Sequence, residues 1–104
     1  GDDRTRFHID IGVAYGSDTE LVKKVLLEVA ASDPAIKEAG PTSVHFTDFG
    51  DSSLKFRLLF WAHNTWEIEV LKSALRFKID NEFKANNIRI PFPQRDVHVF
   101  EQAK

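Results

Sequence analysis

From residue 7 to residue 15 the chain reads FHIDIGVAY, and Phe7, Ile9, Ile11, Val13 and Tyr15 alternate without a break with His8, Asp10, Gly12 and Ala14. Successive side chains of an extended strand point to opposite faces, so a strict period of two sets one face against a core and leaves the other free. Gly16 ends the alternation. Ser17 with Glu20 three residues later forms a capping box, which predicts that a helix begins there. Val22, Val25, Leu26 and Val29 then fall on one helical face, and Asp33-Pro34 closes the pattern because the residue before proline avoids the helical region. The first helix is expected over residues 18–32.

A polar loop containing Gly40-Pro41 follows. Val44 and Phe46 alternate with His45 and Thr47, FGDSS at 49–53 supplies turn residues, and a hairpin is expected. Its return strand sets Leu54, Phe56, Leu58 and Phe60 on one face against Lys55, Arg57, Leu59 and Trp61 on the other. Asn64 with Glu67 resembles another cap, and Ile68, Leu71, Leu75, Ile79 and Phe83 make the core stripe of a second, longer helix. Asn86-Asn87 is the expected left-handed stop. Ile88–Ile90 is expected as a fourth strand and Val97–Phe100 as a fifth. This order predicts an α+β fold, a ferredoxin-like βαββαβ sandwich with an extra C-terminal strand after a Pro-x-Pro turn. Residues 1–104 make a single domain, with the core at 6–91 and the C-terminal strand at 95–101.

Composition removes several classes of function. The chain has 104 residues, enough for one core, with 42% hydrophobic and 29% charged residues, the balance of an ordinary globular domain. The longest apolar run, LLFWA at 58–62, is far short of the roughly 20 residues that span a bilayer. With no cysteine, a disulfide frame, a thiolate metal site and a cysteine nucleophile are all ruled out. A formal charge of −2 with both signs interspersed gives no field to hold a polyanion, so nucleic acid is not expected as a partner. His8, His45, His63 and His98 lack metal-ligand spacing, and no cofactor or metal is expected. The opening GDDRTR carries no signal pattern and is expected to be a cut between domains, which makes the chain a fragment of something longer.

Three groups of residues stand out. With the first and third strands side by side, the open sheet face brings together His8, Asp10, Lys55 and Arg57, a polar cluster without nucleophile, phosphate loop or metal spacing. No enzyme activity is expected from it. On the second helix Trp66, Val70 and Phe77 recur at helical spacing almost opposite the core stripe. Either Trp66 lies over the loop side of the core and Phe77 is merely exposed, or the group meets a neighbouring domain or subunit. The third group is the tail, where Pro91 and Pro93 cannot donate ladder hydrogen bonds and hold φ at about −65°, so the fourth strand must end there. Val97 and Val99 alternating with His98 and Phe100 then form a strand with no partner in its own domain. Copies of that strand from several chains could close into a barrel, which leaves no edge.

RFHIDIGVAYGSD at 6–18, FGDSSLKFRLLFW at 49–61 and IRIPFPQRDVHVF at 88–100 resemble the C-terminal domain of the small-conductance mechanosensitive channels (MscS-like), over nearly the whole chain. The IPFPQ-D-V stretch is the most specific part. The resemblance implies the lower α+β part of a cytoplasmic vestibule built by seven subunits beneath a membrane pore. It implies Pro91, Pro93 and Gln94 as a turn, and Asp96, Val97, His98, Val99 and Phe100 as one strand of a parallel barrel. The full-length protein would sit in the cell (inner) membrane, held there only by parts absent from this sequence, with the domain on the cytoplasmic side. The isolated fragment is expected to be monomeric or weakly associating. The competing expectation is a stand-alone ferredoxin-like regulatory module that binds a small molecule at a subunit interface.

Overall fold

A computed structural model describes residues 3–63 and 66–92. Along the chain come β1 (Thr5–Val13), α1 (Thr19–Ala31), α2 (Pro34–Ala39), β2 (Ser43–Phe49), β3 (Leu54–Ala62) and α3 (Ile68–Ala85). The strands form an antiparallel sheet in the order β1-β3-β2, so the fold class is α+β. β1 pairs with β3 along its full length, from Thr5 opposite Ala62 to Val13 opposite Leu54. That register puts Ile9, Ile11 and Val13 on the same face as Leu54, Phe56, Leu58 and Phe60, and all seven are buried.

Against this face pack Val22, Val25, Leu26, Val29 and Ala30 of α1 and Leu75, Ile79 and Phe83 of α3. Ile68 and Leu71, earlier on the same stripe, are only partly buried. Complete burial of a side chain as large as Phe60 or Leu58 contributes roughly 1.5–3 kcal/mol, so this two-layer stack carries most of the stability. The stop at the end of α3 forms as expected. Asn87 takes φ 59°, the Ile88 amide donates to the Phe83 carbonyl at 2.8 Å, and the Asn87 amide donates to that of Lys84 at 3.3 Å. These two bonds make a Schellman closure.

Several expectations need correction. α1 is capped by Asp18, whose Oδ1 accepts from the amides of Glu20 and Leu21 at 3.1 Å, and not by Ser17, whose hydroxyl donates to the Ala14 carbonyl at 2.7 Å. A carboxylate at this position both accepts and suits the positive end of the helix. Residues 34–39, expected as loop, form α2. Asp33 does end α1, but it also caps the next helix, accepting from Ala35 and Ile36, and Pro34 occupies the first turn, where its missing amide costs nothing.

The β2–β3 ladder slips between Phe46 and Asp48, so Thr47 is an extra residue on the edge strand. Leu59, expected on the solvent side, is buried to 9% exposure. Ile88–Ile90 do not form a fourth strand. The segment is tied to the end of β1 by a hydrogen bond from the Ala14 amide to the Arg89 carbonyl at 2.8 Å, and Pro91 then removes the next donor a ladder would need. Pro93, Gln94 and the expected strand Asp96–Phe100 lie outside the described residues, as does Asn64.

Candidate interaction surfaces

The polar face of the sheet is assembled by the β1–β3 register. Asp10 stands opposite Arg57 and Gly12 opposite Lys55, while His8, two residues before Asp10, stands opposite Leu59. Arg57 Nε donates to Asp10 Oδ1 at 2.8 Å and Nη2 to Oδ2 at 3.3 Å, a two-point pairing that suits the planar guanidinium. His8 Nε2 lies 3.7 Å from Asp10 Oδ2. The Arg57 hydrogen bond holds the Asp10 carboxyl below its ordinary range, partial burial opposes it, and the charges of Arg57, His8 and Lys55 add to the lowering. Bonding to Asp10 raises Arg57 in turn. The predicted cluster of four is therefore present on one face, with Asp10 engaged by a guanidinium. A carboxylate so engaged is a poor base. Among the described residues no group of three His, Cys, Asp or Glu is placed to hold a metal ion.

α3 carries the second surface. Leu75, Ile79 and Phe83 face the core, while Trp66, Val70 and Phe77 are 81%, 71% and 72% exposed. Val70 and Phe77, seven residues apart, fall on one side of α3, and Trp66 lies just before the cap Glu67, outside the helix. At 81% exposure Trp66 does not cover the core. Val70 also borders a shallow apolar groove of about 390 Å³ between α2 and α3, lined by Ile36, Ala62 and Leu71. Exposed large apolar side chains occur singly on most proteins, while large contiguous apolar patches mark contact sites.

The third surface is the exit after α3. Ile88 is buried, Ile90 is half exposed, and Phe92 is 86% exposed. Pro91, the first residue of the expected turn, lines a cleft with the β2–β3 turn residues Gly50–Ser53. The chain thus leaves its core at Ile88 and exposes the ring of Phe92.

A fourth arrangement has no periodic signal in the sequence. The Arg4 guanidinium lies over the Trp61 ring, 4.6 Å from its centroid, and Nη1 donates to the Ala39 carbonyl at 2.7 Å. Positions 4, 39 and 61 come together only once β1 pairs with β3 and α2 turns back toward the sheet.

The geometry defines a small α+β domain whose sheet is covered on one face by helices, with the His8, Asp10, Lys55 and Arg57 cluster on the other face and exposed Val70 and Phe77 on α3. The family described as “Mechanosensitive ion channel MscS, C-terminal” matches residues 7–90. A small-conductance mechanosensitive channel of Edwardsiella ictaluri is 36% identical over 97% of this chain, and one of Helicobacter pylori is 41% identical over 88%. The mechanosensitive channel MscK of Escherichia coli is 37% identical over 97% of the chain. The crystal structure of Helicobacter pylori MscS in its closed state superposes with a TM-score of 0.80 at 39% identity, covering 90% of this chain. The chain belongs to the MscS family of mechanosensitive channels and corresponds to its C-terminal domain. It spans only 35% and 33% of the two small-conductance relatives, 9% of MscK and 37% of the crystallised chain. The matched family is one of channels and not of enzymes, and no helix among the described residues is long and apolar enough to cross a membrane.

Proposed function

We propose that this domain is a wall element of the cytoplasmic vestibule of a mechanosensitive channel, where copies stand against one another and leave a path for ions and small solutes. The observation that carries the proposal is the exposure of Trp66, just before α3, and of Val70 and Phe77 on it. A surface helix of a solitary domain needs one apolar face, and α3 carries exposed Val70 and Phe77 besides its core stripe. The polar sheet face, with His8, Asp10, Lys55 and Arg57, suits the opposite task of staying wet and biasing which ions collect beside it.

In this reading the assembly is a heptamer, and Pro91, Pro93 and Gln94 turn the chain so that Asp96, Val97, His98, Val99 and Phe100 join a parallel barrel of strands from all copies. Conduction and gating then belong to membrane-embedded parts outside this sequence. Family membership and the length of the relatives support this, since each comprises far more than the stretch matched here.

The test is made on the complete channel. Changing Trp66→Gln and Phe77→Gln together lowers the fraction of intact oligomer by native mass spectrometry and the number of active channels per patch. An unchanged oligomer fraction and an unchanged channel count in the double variant would refute the role given to α3.

A further inference from the structure

We propose that Asp3 and Arg4 form a two-point latch that makes the chain entering β1 turn with the sheet as one body. Asp3 and Arg4 precede the first strand residue, Thr5, and, resting on the channel reading above, they are the covalent route by which upstream parts act on the domain. Such a junction is ordinarily loose, because a terminal segment with few partners frays. Here it is held from two sides.

Arg4 covers the Trp61 ring with its guanidinium and directs Nη1 at the Ala39 carbonyl, the last residue of α2. Carbonyls in the last turn of a helix have no partner within it and carry partial negative charge, so a cation is the fitting donor. Asp3 Oδ1 lies 2.9 Å from His63 Nδ1, the residue that follows β3. One side chain therefore reaches α2 and the ring near the end of β3, and the neighbouring one reaches the residue just past that strand.

Gly40 makes the stack fit. A Cβ built there would stand 2.8 Å from Trp61 Cδ1 and 2.9 Å from Arg4 Nη1, closer than real Cβ contacts come. The α2–β2 link thus passes against both members of the stack, and only a residue without a side chain leaves them room. An upstream rotation is delivered to α2 and β3 together, where a loose joint would absorb it.

The test uses the 104-residue chain in weakly aligned solution, reading residual dipolar couplings of the Asp3 and Arg4 amides. In the unaltered protein they fit the alignment tensor of the sheet. In Arg4→Ala and in Gly40→Ala they collapse toward zero while those of Ile9 and Leu58 keep their values. Arg4→Lys, which retains the charge over Trp61 but not the planar fork, gives intermediate values. Amide exchange at Thr5, Arg6, Trp61 and Ala62 quickens roughly tenfold in Arg4→Ala, the effect expected of losing one charge-assisted hydrogen bond. Couplings near zero in the unaltered protein, or unaltered couplings in Arg4→Ala, overturn the latch. Arg4 lies outside the core, so its replacement leaves the fold intact and carries the test even where Gly40→Ala does not fold.

Discussion

Asp10 and Arg57 face one another across the β1–β3 ladder and join through both carboxylate oxygens. Their side chains are 61% and 41% exposed, so water screens the pair and its part in stability is small. Its folded-state effect has a definite sign. Asp10 is held below its ordinary value of 3.8, so the stabilisation is present above that pH and is lost as pH falls through the lowered value. Urea unfolding followed through this acid range should show Asp10→Asn with a flatter decline than the unaltered protein, and with nearly the same midpoint at neutral pH. An equally steep decline in the variant would show that other carboxylates govern the acid limb.

Periodicity is legible where one physical constraint decides a position, and the long elements show it. The alternation of Phe7–Val13 and the Leu75, Ile79, Phe83 stripe each follow from burying one face, and each forms as the residues dictate. α2 was hidden because Asp33-Pro34 carries two meanings. The same pair that ends one helix caps and starts another, and six residues are too few for a periodic pattern. Ser17 and Asp18 are both good caps one position apart, and propensity alone does not choose between them. Ile88–Ile90 has strand composition, but Pro91 limits what can pair. The polar sheet cluster was legible once β1 and β3 were taken as neighbours. The Arg4–Trp61–Gly40 contact was not, since it depends on three distant segments meeting.

Phe60 is fully buried near the C-terminal end of β3, its ring centroid 6.2 Å from that of Phe7. Truncation to alanine leaves a cavity under both helices, and Phe60→Ala is expected to cost about 3–5 kcal/mol in equilibrium unfolding. Phe49, an equally large residue 71% exposed on the β2–β3 hairpin, is the control. Phe49→Ala should change stability by no more than about 0.5 kcal/mol. Similar losses from both would contradict the placement of the core.

Asn87 closes α3 from the left-handed region, with φ 59°. Glycine adopts that conformation freely, asparagine tolerates it, and alanine pays for its Cβ. Asn87→Ala is therefore expected to destabilise the domain by about 1 kcal/mol, and Asn87→Gly to leave it unchanged or slightly more stable. Chemical denaturation of the two variants side by side decides the matter. An alanine variant as stable as the glycine one would mean that the closure is held by packing of Ile88 and not by backbone conformation.

The same chain should behave differently alone and within a complete channel. If the terminal strand docks on its neighbours, burying Val97 and Val99 contributes roughly 3–6 kcal/mol per copy. Joining each further subunit costs an estimated 4–15 kcal/mol in lost rigid-body freedom, which this gain does not exceed with any margin. A contact through Trp66, Val70 and Phe77 would add to the gain, but exposed side chains of this kind are also ordinary on a single domain. In a full-length channel, membrane segments would hold every copy at high effective concentration, and the same contacts would then suffice. Multi-angle light scattering of the 104-residue chain at micromolar concentration should therefore give the mass of one copy. Trp66→Gln with Phe77→Gln should leave its unfolding midpoint in place, because neither residue supports the core. A stable heptamer of the isolated chain would mean that these surfaces bind far more strongly than their area implies, and that assembly needs no tether.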